Sequence, residues 1–140
     1  MTLSTHVVFE WLVALHIITG SIGLIVVWIP IVGKKGGLIH RRAGTLFVQS
    51  MLATGFTAVA ISLTTLYDPT GTHPHLSDHE VFANPQAISN IFGWMMLYLA
   101  TLTINLAWQG WLSMRNKHEH ASNRAWHNQL SQLLLSIVSI

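Results

Sequence analysis

Apolar residues dominate three long stretches of this chain, and a fourth, shorter stretch closes it. Val7 to Val32 ends near Pro30 and the turn Gly33-Lys34-Lys35-Gly36-Gly37. Gly44 to Leu66 ends at Tyr67-Asp68-Pro69. Ala87 to Met114 follows Pro85 and stops at Arg115. A helix of about 20 mostly apolar residues crosses the hydrocarbon core of a bilayer. The pattern therefore predicts transmembrane helices over about 7–33, 44–66 and 87–114. Trp126 to Ile140 begins a fourth, over 126–140, whose apolar part is about half a span. A carboxylate stranded in hydrocarbon is costly, so the natural chain is expected to continue beyond Ile140. The fold class expected is all-α: a single polytopic membrane domain over 1–140, an up-and-down bundle of four helices with a long loop over 67–86.

Basic residues set the orientation, because Lys and Arg collect in cytoplasmic loops. Lys34, Lys35, Arg41 and Arg42 lie between the first two helices, and Arg115, Lys117 and Arg124 follow the third. These are every Lys and Arg in the chain. The 67–86 loop has none and carries Asp68, Asp78 and Glu80. The expectation is a multi-pass membrane protein. Its N-terminus and 67–86 loop would be on the non-cytoplasmic side, and its 34–43 and 115–125 loops cytoplasmic. The start MTLSTHVVFE has no basic segment of the kind that opens a cleavable signal, so the first helix is read as retained.

Composition narrows the function classes. Only 9% of residues are charged, against roughly 25% in soluble domains, too few to build a hydrated shell. A net charge of +2 gives no reason to expect a nucleic-acid partner. With no cysteine, disulfides and thiolate metal sites are excluded. The chain has no glycine-rich phosphate loop, nucleophile elbow or HExxH sequence. Nine histidines against seven Lys and Arg direct attention to cofactors, since imidazole is the commonest metal ligand.

His16 is the one histidine deep in a predicted span, roughly 14 Å along the first helix from Val7. Thr19, Gly20 and Gly23 share its face at i+3, i+4 and i+7. Two readings follow. Glycines beside an imidazole leave room for a flat cofactor such as haem b. The same glycines also let a second helix approach closely, with His16 donating it a hydrogen bond. Met95, at matching depth in the third helix, is a candidate second axial ligand, since His/Met ligation is established haem chemistry. His40 and His127, at the cytoplasmic ends of helices two and four, are a second candidate pair; interfacial histidines touching headgroups are the plain alternative. Helix two presents a small, weakly polar face of Ser50, Ala53, Thr54, Thr57 and Ile61. Helix three carries a polar stripe of Asn90, Trp94, Tyr98, Thr101, Asn105 and Gln109. In the loop, His73, His75 and His79 with Asp78 and Glu80 suit a transition metal, on a segment with no evident pre-organisation.

Leu15-His16 followed by Gly20, then a basic turn, then His40-Arg41-Arg42-Ala43-Gly44 form an L-H-x-x-x-G … H-R-x-x-G arrangement. It resembles an uncharacterised family of four-helix bacterial inner-membrane proteins. The resemblance covers about half the chain, and Arg124-Ala125-Trp126-His127 is similar to the family's entry to its fourth helix, in altered order. It implies the bundle and marks His16, His40, Arg41 and Gly44, without naming a reaction. The functional expectation is a membrane redox or cofactor-binding protein, holding haem b or linked to quinone through His16 or His40. The alternative is a non-catalytic accessory subunit of a larger membrane complex, or a small transporter.

Overall fold

In the computed structural model the chain is described at residues 2–76, 82 and 84–115. These form helices and turns, with no strand among the described residues. Helix α1 covers Thr2–Val26, α2 Trp28–Val32, α3 Leu38–Tyr67, α4 Pro69–Thr72, α5 Pro85–Ile88 and α6 Met96–Arg115. A wide π-helical turn, Ser89–Met95, joins α5 to α6 in one continuous rod. Three helical stretches are long and apolar enough to cross a membrane: Thr5–Val32, Leu38–Tyr67 and Pro85–Arg115. The predicted fourth helix lies outside the described residues.

Local chemistry explains the breaks. Pro30 has no N–H to offer the carbonyl four residues earlier, and the helix is interrupted at Val27, between α1 and α2. The chain then reverses through Gly36, whose φ of +83° is left-handed and suits glycine. Helix α3 begins at Leu38, not at Gly44, so His40, Arg41 and Arg42 stand in its first turns. An apolarity count stops at charged residues; long basic side chains can extend to the polar interface and leave the backbone helical. The described ends of the 67–86 loop also carry short helices. Asp68 Oδ1 accepts the Gly71 N–H at 2.9 Å and, with Pro69 at the first helical position, starts α4. Asn84 Oδ1 accepts the Gln86 N–H at 2.9 Å and starts α5 in the same way.

Helix α3 is the central element, with α1 packed along one side and α6 along another. The interior is small and partly polar: Ser50, Thr57, Ala58, Ile61, Ser62 and Thr65 of α3 are all buried. Large apolar residues face outward instead, including Trp11, Leu24, Ile25 and Phe56, each more than 60% exposed. This reverses the soluble pattern. Inside, Ser50 donates to Leu46 O at 2.9 Å and Ser62 to Ala58 O at 2.8 Å, while the buried Thr65 hydroxyl has no partner among the described residues.

Small residues set how near the helices come. A Cβ on Gly55 would lie 2.5 Å from Cγ1 of Ile104 in α6, and one on Gly93 2.5 Å from Cδ2 of Leu66 in α3. At the loop end, His73 bridges the outer helices. Its ring stacks on Phe92 with centroids 4.7 Å apart and meets Phe9 of α1 edge-on at 5.0 Å. The opposite, basic end holds the Gly33–Gly37 turn and Arg115.

Candidate functional site

The face predicted around His16 meets α3 along its length. His16 Nδ1 lies 3.1 Å from the carbonyl oxygen of Thr54 and 3.2 Å from Oγ1 of Thr57. Thr57 donates its own hydroxyl hydrogen to the same carbonyl at 2.9 Å, so its oxygen is free to accept. A carbonyl cannot donate, so the ring hydrogen sits on Nδ1 and is shared between the two acceptors. The lone pair of the imidazole is thereby left on Nε2. One turn on, Thr54 donates to Thr19 Oγ1 at 3.0 Å, and Thr19 donates back to its own helix at Leu15 O and His16 O.

Gly20 and Gly23 continue this seam. A Cβ on Gly20 would meet Thr54 Cγ2 at 3.6 Å; one on Gly23 would meet Met51 Sδ at 3.3 Å and Ser50 Cβ at 3.5 Å. The room beside the imidazole on the glycine side is thus filled by α3. A flat group bound to His16 would have to approach the Nε2 edge, away from the glycines.

The other candidates fall in different places. Met95 is 51% exposed and follows Gly93, which faces Leu66 of α3, by two positions. Its side chain is therefore turned outward, and Met95 and His16 are not brought together. The polar stripe of the third span is divided: Asn90, Trp94 and Thr101 are exposed, whereas Tyr98, Asn105 and Gln109 are half-buried and Gln109 Nε2 is buried without a partner among the described residues; Gly93 and Ile104 touch α3. His127 and His79 lie outside the described residues. Gly44 sits where a Cβ would touch Met114 Sδ of α6 at 3.4 Å, so it has a packing role at the basic end. Arg41 donates from Nε to Gly36 O at 3.3 Å and ties the turn to α3.

In the loop, His73 and His75 have ring centroids 6.3 Å apart. His73 Nδ1 is 3.0 Å from Oγ1 of Thr72, a hydroxyl that also contacts Asp68 O and Pro69 O. Burial between Phe9 and Phe92 pushes the His73 pKa below its usual value, and His75 adds to the shift. Among the described residues no group of three or more His, Asp or Glu is arranged to hold a metal ion.

One feature carried no sequence signal: Thr54 supplies a backbone carbonyl to His16, an atom that every residue has. His40, a candidate from its sequence motif, stands in the first turn of α3 and lines a cleft of about 420 Å³ beside Lys34, and its Nδ1 is buried with no hydrogen-bond partner among the described residues. No family model, curated protein or solved structure matches the chain.

Proposed function

We propose that this is a multi-pass protein of the bacterial inner membrane that binds a redox cofactor, haem b or a quinone, at the Nε2 edge of His16. The N-terminus and the 67–86 loop would face the periplasm, and the basic turns the cytoplasm, following the segregation of Lys and Arg. The observation that carries the cofactor reading is the commitment of Nδ1 to Thr54 O. Histidines that ligate metals are held in this manner, with one nitrogen donating to a carbonyl and the other presenting its lone pair. The same lone pair could accept a hydrogen bond from a quinol hydroxyl. Bound haem would supply one-electron chemistry; the chain's part is to fix the ring's tautomer and orientation within an apolar surround.

The test is an optical spectrum of the full chain purified in detergent from haem-replete cells, with organic extraction of the same sample for quinone. The expected result is a Soret band and a reducible α band, or extracted quinone near one per chain, lost in His16→Ala. A colourless, quinone-free protein would remove the proposal.

A second reading, a non-catalytic subunit of a larger membrane complex, is favoured by the filled glycine seam and by the exposed flank of α1. Trp11 is 73% exposed and Leu24 and Ile25 are each 69% exposed. Co-purification of a membrane partner at fixed stoichiometry, from a sample with no pigment, would support it.

A further inference from the structure

We infer that the hairpin between α2 and α3 is a binding site for the phosphate of an anionic phospholipid. This rests on the membrane reading alone and is independent of any cofactor at His16.

The cleft of about 420 Å³ at the basic end is lined mostly by apolar surface, from Ile29, Leu38 and Ile39, and Lys34, His40, Gly33 and Gly37 complete it. It has no internal anion. The sequence holds no Asp or Glu between Glu10 and Asp68. The single ion pair among the described residues, His6 with Glu10, lies at the loop end. Among the described residues, Lys34, Lys35, Arg41 and Arg42 therefore have no carboxylate paired with them.

Three kinds of donor converge on the cleft. The first is the Lys34 ammonium. The second is the start of α3, a 30-residue helix whose cap, Gly37, has no side chain to accept its first N–H groups. The first backbone bond there is Arg41 N–H to Gly37 O at 3.1 Å, so the N–H groups of Leu38, Ile39 and His40 precede it unused. Such an end carries partial positive charge and favours phosphate. The third, independent of the helix end, is His40. Its Nδ1 is shut from solvent and unpartnered. A hydrogen on that atom would be buried without an acceptor, at a desolvation cost, so the ring hydrogen belongs on Nε2 of this cleft-lining residue. The glycines at 33 and 37 keep side chains out of the entrance. An acyl chain would continue along Ile29, Leu38 and Ile39, which are 40%, 63% and 73% exposed. Inorganic phosphate shares the headgroup chemistry but leaves this apolar wall uncovered, and that selects the lipid.

Lys34 lines the cleft and Lys35 does not, which provides a charge-matched control. Full-length protein in zwitterionic detergent at 0.15 M salt is titrated with dihexanoyl phosphatidylglycerol, with the phosphatidylcholine of equal chain length and with inorganic phosphate. Bound lipid is counted by native mass spectrometry, and melting temperature gives an apparent affinity. The expected result is one phosphatidylglycerol per chain, bound about tenfold tighter than either competitor. Lys34→Gln should weaken it about tenfold and Lys35→Gln less than threefold. His40→Gln, which keeps an N–H donor, should bind more tightly than His40→Phe. Equal losses from the two lysine variants would overturn the site in favour of diffuse charge attraction. Equal affinity for inorganic phosphate, or for the phosphatidylcholine, would overturn the lipid assignment.

Discussion

Replacing Gly55 by alanine tests the helix seam most directly. The new methyl would lie 2.5 Å from Ile104 Cγ1, 3.3 Å from Cδ1 and 3.5 Å from the Ile104 backbone nitrogen. Carbon atoms in contact prefer about 3.5–4.0 Å, so α3 and α6 would have to separate by about 1 Å, or Ile104 leave its rotamer. A β-branched side chain in a helix has essentially one χ1 well, and the nearby backbone nitrogen limits any shift. Overpacking of this kind costs about 1–3 kcal/mol. Gly110 of α6 is the matched control, because a Cβ there meets nothing within 4 Å; Gly110→Ala should be neutral, or stabilising by up to about 1 kcal/mol through helix propensity. The assay is reversible unfolding in mixed micelles, followed by circular dichroism. Combining Gly55→Ala with Ile104→Ala should recover about 1–2 kcal/mol relative to the sum of the single changes. If Gly55→Ala matches wild type, or the two changes add within about 0.5 kcal/mol, the close approach argued from this geometry is wrong.

Other outcomes follow from features at the two ends. His73 has a lowered folded pKa, so the unfolded chain takes up a proton first as pH falls. The stability its neutral ring contributes is present above about 6.5 and lost as pH drops through the folded value. Melting between pH 8 and pH 5 should show this loss, and His73→Phe should flatten it; an unchanged slope would count against the stacked ring as its source. His16→Leu removes an interhelical hydrogen bond and should cost about 0.6 kcal/mol and no more than about 1.7 in the micelle assay. A larger loss would point to a bond network reaching beyond Thr54 and Thr57. Gly23→Ala meets the flexible tip of Met51 at 3.3 Å and should change stability far less than Gly55→Ala, a ranking that the same unfolding experiment checks.

The sequence was legible where a regular period met a scarce residue type. His16, Thr19, Gly20 and Gly23 recur at helical spacing, and all four lie against α3. Ser50, Thr57 and Ile61 of the small face are buried as well. What that periodicity could not supply was the identity of the opposing surface, so the glycines alone left both a cofactor and a helix open, and Thr54 and Met51 of α3 are what lies against them. The stripe on the third span was legible only in part: Asn90, Trp94 and Thr101 are exposed while Tyr98, Asn105 and Gln109 are half-buried, because a hydroxyl can bond its own helix, as Thr101 does to Tyr98 O at 2.8 Å. Gly55 and Gly93 passed unnoticed because a glycine shows its value only beside the residue that presses on it. The loop histidines looked like ligands by type, but His73 packs as an aromatic ring, a role that depends on Phe9 and Phe92 from distant positions.

The wide turn at Ser89–Met95 gives this rod an uneven tolerance to changes in length. Ile88 and Gly93 are both buried, yet five positions of regular α-helix would set them about 140° apart. A turn closed by i→i+5 bonds contains one residue more than an α-turn, and that surplus lets both point inward. Deleting exposed Asn90 would convert the segment to ordinary helix and leave both residues on the same side. Deleting Thr101 would swing everything after it by about 100° and carry Ile104 off Gly55. Single-residue deletions along this span should therefore be admitted at one place, the turn beside the loop, and resisted along the rest.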